Sequence, residues 1–258
     1  MKDFNKITAK DNPLIKLICS LQTTSKTRKE NGLFVLEGLR ICLDALDNGI
    51  AFDKLIVSET FLKKQNDSIE RLSNNSVFCY LIPDSLFAKI SDTDSPQGII
   101  ALVRIPEQNK TVDKSGRYIA LENVQDPSNL GAVSRTAEAL GISGIILKSG
   151  CDPFSPKSLR ASMGTLLRLP LYITEDLTAF ISEHSLRSFA CVVDPLAEKI
   201  SSIQFNDGDV LIIGNEANGI TKETADNAFK KITIPMLGSA ESLNAAAAAA
   251  IAMWELKK

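Results

Sequence analysis

Three short segments in the second half of this 258-residue chain carry side chains whose types and spacing could do chemistry. The first is NVQDPSNLGAVSRTAEALG (123–141). Asp126-Pro127 breaks a strand there, and Ser128 or Asn129 can cap the helix that follows. Leu130, Val133, Ala137 and Leu140 form one apolar stripe along that helix. Arg135 lies about 200° from Val133 at the α-helical repeat. It therefore sits on the open face, near a strand's carboxyl end, where an arginine suits an anionic substrate. A solvated surface arginine would read the same way.

The second segment is DVLIIGNEANGI (209–220). A buried strand runs into Gly214, Asn215 and Glu216. Glycine at that point permits close approach of another backbone or of a ligand. Glu216 falls at the strand's carboxyl end, where open α/β sheets bind ligands. An ordinary strand-to-helix loop with a capping role remains the alternative. The third segment is KITIPMLGSAESLNAAAAAAIAMWEL (231–256). Its strand ends at Met236, a loop with Gly and Ser follows, and a helix opens at Ser242-Leu243-Asn244. The six alanines 245–250 are strong helix formers that leave a thin helix other backbone can approach.

Composition removes several other chemistries. His184 is the only histidine, so histidine acid–base or metal chemistry is nearly excluded. The five cysteines (Cys19, Cys42, Cys79, Cys151, Cys191) form no CxxC pair, so neither a zinc site nor a redox motif is indicated. No metal is expected. No glycine-rich dinucleotide fingerprint occurs, which argues against a dehydrogenase. The net charge of −2 lacks the whole-domain basic signature of many nucleic-acid binders. Residues 1–40 nevertheless hold eight Lys/Arg against four Asp/Glu, a net of +4, enough for a local phosphate-binding face. No apolar run reaches the roughly 18 residues of a spanning helix, and the polar start MKDFNKITAKDNP has no apolar core of a secretory signal. Cytoplasm is the expected location.

These segments must be positioned by two α/β halves. In the first, FVLEG (34–38), DKLIVSE (53–59), VFCYLIP (77–83) and GIIALVRI (98–105) have the β-branched and aliphatic character of strands. Helical patterns at 12–22, 39–48 and 61–74 alternate with them, with Leu39, Leu43 and Leu46 expected to face the sheet. The polar segment 106–116 reads as a linker. The second half, from 117 to 258, alternates helices with nearly continuous apolar strands, the pattern of a mostly parallel sheet covered on both faces. The expected fold class is α/β, with a smaller N-terminal α/β domain over 1–105 and a larger one over 117–258.

The three segments, in this order, resemble the three motifs of the SpoU/TrmH family of RNA ribose 2′-O-methyltransferases, within the SPOUT superfamily. Asn129, Gly131 and Arg135 match the first motif. Gly214, Asn215, Glu216 and Gly219 match the second. Pro235, Ser242, Leu243 and Asn244 match the third. LFVLEGLRICLDALDNG (33–49), after the basic Lys26, Arg28 and Lys29, is similar to the family's substrate-binding domain, which has a ribosomal-protein-like RNA-binding fold. SPQGIIALV (95–103) looks like the strand that ends it. The six-alanine run departs from the family, whose members often carry Val or Ser there.

The resemblance implies a C-terminal trefoil knot, an obligate homodimer, and S-adenosylmethionine held mainly by backbone at Gly214, Ile234 and Leu243, with Met236 nearby. It implies attack of a ribose 2′-hydroxyl of RNA on the sulfonium methyl, with ribosomal RNA favoured over transfer RNA. A transfer-RNA enzyme and a non-catalytic RNA-binding protein on the same scaffold remain open. The family assigns the helix arginine, here Arg135, a place near the hydroxyl, even as its base. Arginine stays protonated at working pH, and a nearby phosphate holds its proton more tightly. Arg135 is therefore read as a bidentate phosphate clamp that also stabilises developing alkoxide. Glu216 is expected to orient it, and Asn129, Ser242 and Asn244 to complete a polar rim. Arg28, Lys29 and Arg40, with Arg160 and Arg168, are the candidate RNA contacts.

Overall fold

The computed structural model describes residues 2–64, 66–107 and 111–258. The linker read at 106–116 lies partly outside them. The chain divides into two compact units, one holding residues up to Pro106 together with Phe154–Arg160, the other Glu107–Pro153 and Ala161–Lys258.

The first unit runs β1 (Asn5–Lys6), α1 (Pro13–Thr23), α2 (Ser25–Asn31), β2 (Leu33–Glu37), α3 (Leu39–Asp47), β3 (Phe52–Ser58), α4 (Glu59–Lys64), α5 (Asn66–Asn74), β4 (Ser76–Ile82), α6 (Asp84–Ile90) and β5 (Ile99–Arg104). Its sheet order is β1-β4-β3-β5-β2. β4 is parallel to β1 and β3, and β5 is antiparallel to both β3 and β2. Asn12 starts α1 by accepting the Leu14 N–H at 2.9 Å, and Pro13 follows at a position where no amide is needed. Ile15, Ile18 and Leu21, three apart, put one face of α1 into the core beside Ile56, Ile100 and Leu102. On α3 the fully buried side chains are Cys42 and Ala45, whereas Leu39, Leu43 and Leu46 are half-buried. The small residues occupy the closest approach and the leucines flank it, so the expected leucine stripe is displaced.

Residues 154–160, read from the sequence as part of the second half, belong with this first unit. The Phe154 ring lies 5.1 Å from that of Phe34, and both are buried. A cut after residue 105 would strip Phe154 of that cover.

The second unit runs β6 (Tyr118–Glu122), α7 (Pro127–Ala139), β7 (Gly144–Lys148), then α8 (Pro156–Ser162), which crosses the division. It continues through α9 (Thr165–Arg168), β8 (Leu171–Thr174), α10 (Leu177–Glu183), β9 (Arg187–Cys191), β10 (Glu198–Lys199), β11 (Asp209–Ile213), α11 (Lys222–Asn227), β12 (Lys230–Thr233) and α12 (Ala245–Lys257). All seven strands pair in parallel, in the order β10-β12-β9-β11-β6-β7-β8. The fold is thus mixed α/β with a parallel sheet, and the strands are apolar because helices cover both faces. One face buries Tyr118, Ala120, Ile146, Val210 and Ile212 against Leu177 and Ile181 of α10. α12 packs on α7 and on β11. Its buried Ala249 and Ala252, each 0% exposed, let it lie close. Among the described residues no helix is long and apolar enough to cross a membrane.

Candidate active site

The site gathers at the carboxyl ends of β9, β11 and β12. Asp126 caps α7 by accepting the Ser128 N–H at 2.8 Å, so the cap lies upstream of the expected Ser128 or Asn129. That leaves the Asn129 side chain free for the site. Its Nδ2 donates to Glu216 Oε1 at 2.6 Å, and its Oδ1 accepts from Asn244 Nδ2 at 3.0 Å. Asn244 also opens α12, its Oδ1 accepting the Ala246 and Ala247 amides at 2.9 and 3.3 Å. The helix therefore begins after Asn244 and not at Ser242. Asn244, with both ends of its amide engaged, fixes its own orientation and passes it to Asn129.

Asn215 and Gly219 close the loop after β11 on itself through paired backbone hydrogen bonds of 3.0 and 2.9 Å. Asn215 Oδ1 accepts the amides of Ala217 and Asn218 at 2.9 and 3.1 Å. A Cβ at Gly214 would stand 2.1 Å from the Gly219 carbonyl carbon, so the loop can fold back only over glycine. Gly131 has the same need on α7, where a Cβ would meet the Ala161 carbonyl carbon at 2.5 Å.

A cavity of about 500 Å³ opens beside this loop. Gly214, Glu216, Ile234, Met236, Ser242 and Leu243 all line it. Thus four residues read as cofactor contacts and two read as catalytic share one pocket, and Asn129 and Asn244 join it through Glu216. Cys191 and Val193, which sequence reading missed, complete its wall after β9.

Arg135 stands apart. It is exposed on α7, about 9 Å along the helix from Asn129. It does not line the cavity, and its side chain forms no ion pair or hydrogen bond with any described residue. The expected orienting of Arg135 by Glu216 is not what the chain does, because Asn129 takes the Glu216 carboxylate instead.

The expected RNA contacts also divide. Arg28 is 4% exposed, and its Nη1 donates to the carbonyls of Leu21 and Gln22 at the end of α1. It is a buried structural group, and the contact reading is wrong for it. Lys29 and Arg40 are exposed. Arg160 is paired with Asp92 at 2.8 Å within the first unit. Arg168 is held by Glu138, its Nη2 donating to Oε2 at 2.8 Å. Both arginines are thereby engaged within the protein.

The family model of the SpoU rRNA methylases matches residues 116–254, which hold this whole site. The chain belongs to the SpoU rRNA methylase family. It is an RNA methyltransferase of that family, and residues 12–101 match the MRM3-like substrate binding domain. An uncharacterised tRNA/rRNA methyltransferase of Synechocystis is 31% identical over 99% of this chain and 94% of its own. A 23S rRNA guanosine 2′-O-methyltransferase of Bacillus subtilis is 28% identical over 91% of this chain and 92% of its own. The crystal structure of an AdoMet-bound rRNA methyltransferase from Sinorhizobium meliloti superposes with a TM-score of 0.84 at 30% identity, covering 98% of this chain and 97% of that one. The alanine-rich α12, where the sequence departs from the family's Val and Ser, packs on α7 and β11.

Proposed function

We propose that this SpoU-family protein transfers the methyl group of S-adenosylmethionine to a ribose 2′-hydroxyl of structured RNA, and that the RNA is ribosomal. The observation that carries this reading is the hydrogen-bonded chain Asn244–Asn129–Glu216 beside a cavity walled by Gly214, Ile234 and Leu243. The S. meliloti relative with bound AdoMet supports the cofactor. The Bacillus relative named for 2′-O-methylation of 23S rRNA supports the acceptor and the RNA class.

The residues fit such a donor. Ile213, Ile234, Met236 and Leu243 offer apolar wall, the backbone at Gly214 offers polar groups, and the carboxylates of Glu216 and Glu241 are the charged groups of the lining. When bound, the donor supplies a methyl group activated by a positive sulfur. What the chain adds is alignment, which supplies several kcal/mol of such a barrier. Asn129, itself held by Asn244, holds Glu216 in the cavity wall. Arg135, charged and unpaired, clamps an RNA phosphate through its fork. Lys29 and Arg40 of the first unit contact further phosphates, consistent with the match of that unit to a substrate-binding domain.

We further infer a homodimer and a C-terminal trefoil knot. Ile251 (40% exposed) and Trp254 (58% exposed) lie on the outward face of α12, where a second copy would cover them. Tritium transfer from labelled S-adenosylmethionine to RNA from cells lacking the protein, followed by mapping of 2′-O-methyls, tests the function. Label in ribosomal RNA at a ribose supports it. Label confined to transfer RNA overturns the RNA class, and binding of S-adenosylhomocysteine without transfer overturns the catalytic reading.

A further inference from the structure

Glu122 ends β6, is 0% exposed, and has no part in the chemistry described above. By strand alternation it shares the face of Tyr118 and Ala120, toward α10 and α11. Its carboxylate accepts four hydrogen bonds. Lys148, its register partner on β7, donates Nζ to Oε1 at 2.8 Å. Thr224 Oγ1 donates to Oε1 at 2.7 Å, and Thr221 Oγ1 at 2.9 Å. The Thr221 amide donates to Oε2 at 2.8 Å. The next residue, Asn123, adopts a left-handed backbone with φ 57°. Its carbonyl accepts Asn215 Nδ2 at 2.9 Å, and its amide donates to the Lys148 carbonyl at 2.9 Å.

Glu122 and Asn123 therefore grip opposite ends of the loop 215–221. Asn123 holds its start through Asn215, and Glu122 holds its end through Thr221. The stretch between contains Glu216 and walls the cavity.

We propose that Glu122 is a positioning residue for cofactor binding, which with Asn123 clamps the loop 215–221 into the shape of the cavity wall. Lys148 neutralises the buried carboxylate and does not touch the loop's amides. The proposal rests on the reading of this cavity as the S-adenosylmethionine pocket. Burial alone would push the Glu122 carboxyl up, but the hydrogen bonds from Lys148, Thr224 and Thr221 outweigh it and hold it below its ordinary value.

The test compares the full-length wild type with Glu122→Gln and with the double variant Glu122→Gln/Lys148→Met. The single variant loses acceptor capacity and also leaves Lys148, 18% exposed at its side chain, without its counter-charge. The double variant removes that stranded charge but still lacks the clamp. S-adenosylhomocysteine affinity by calorimetry, Tm, and hydrogen exchange of the 215–221 amides are measured on each. The double variant is expected to recover the Tm that the single variant loses. Its affinity should stay roughly tenfold below wild type, the order set by losing one charged hydrogen bond, with faster exchange confined to the loop. Affinity that returns together with Tm, or a single variant that binds like wild type, overturns the proposal. A wild type that fails to bind S-adenosylhomocysteine overturns the pocket reading instead. Should the single variant not fold, the double variant carries the comparison.

Discussion

Asn129 and Glu216 are 87 residues apart in sequence and joined by a 2.6 Å hydrogen bond from Nδ2 to Oε1. That bond ties the start of α7 to the loop after β11, and the bond from Asn244 adds the start of α12. One amide side chain thus holds three chain segments in register. Asn129→Ala leaves the Glu216 carboxylate and the Asn244 amide each short of a partner. Methyl transfer is expected to fall at least tenfold. Because Glu216 and Asn244 are exposed and can turn to water, the stability lost is that of the hydrogen bonds alone, about 0.5–1.5 kcal/mol each. A double-mutant cycle with Glu216→Gln should give strong non-additivity in transfer rate. Additive losses would mean the two residues do not act as a unit.

Arg135 is free on its own chain, so its variants should leave folding alone. Arg135→Lys keeps the charge and loses the fork. Transfer to RNA is expected to drop tenfold or more, with S-adenosylhomocysteine affinity and Tm unchanged. Near-full turnover in this variant would remove the phosphate clamp.

Arg28 should behave in the opposite way. It caps carbonyls at the end of α1 and is buried, so Arg28→Gln is expected to cost about 1.5–3 kcal/mol of stability. The salt dependence of RNA binding should not change. Lys29→Ala and Arg40→Ala, both at exposed positions, should each flatten that salt dependence by about one unit of slope and leave Tm alone. Filter binding between low and moderate salt separates the two kinds of residue.

Gly131→Ala places a methyl group 2.5 Å from the Ala161 carbonyl carbon, a backbone atom that cannot swing aside. About 1–3 kcal/mol of stability should be lost, the usual cost of overpacking. Gly214→Ala meets the Gly219 carbonyl carbon at 2.1 Å and lies in the cavity wall. It should weaken S-adenosylhomocysteine binding more than Gly131→Ala does. Equal losses of affinity would show that the loop over Gly214 does not shape the cavity.

Glu122 also predicts an acid dependence. Its folded pKa lies below the ordinary 4.5, so the folded state favours the carboxylate. The stabilisation is present at neutral pH and is lost as pH falls below 4.5 through the folded value. The Tm difference between wild type and Glu122→Gln should therefore narrow from pH 7 toward pH 3. A difference that holds constant would mean that the carboxylate's charge contributes nothing.

Much of the second unit was legible from residue order. Its strands are apolar runs because both faces are covered, and such runs announce themselves without any partner being known. Gly214 could be read as a close approach, since glycine at a strand end has few other uses. Other elements were invisible. α6, α8 and α9 are short and lack a sustained apolar period, so nothing local marks them. Asp126 capped α7 where Ser128 and Asn129 were also competent, and only the folded turn chose among three polar residues. The helical pattern over 12–22 was legible, but on α3 the expected leucine stripe yielded full burial to the smaller Cys42 and Ala45.

The sequence by itself determined the fold class, the three segments and the kind of chemistry, since those depend on residue type and order. Only the tertiary structure decided partners. It gave Glu216 to Asn129 and left Arg135 free, took Arg28 out of the RNA face, and placed Glu122 under the loop it holds. The reason is physical. A charged side chain is satisfied by whichever complementary group the fold brings within about 3 Å, and those groups come from strands and loops that sequence distance does not relate.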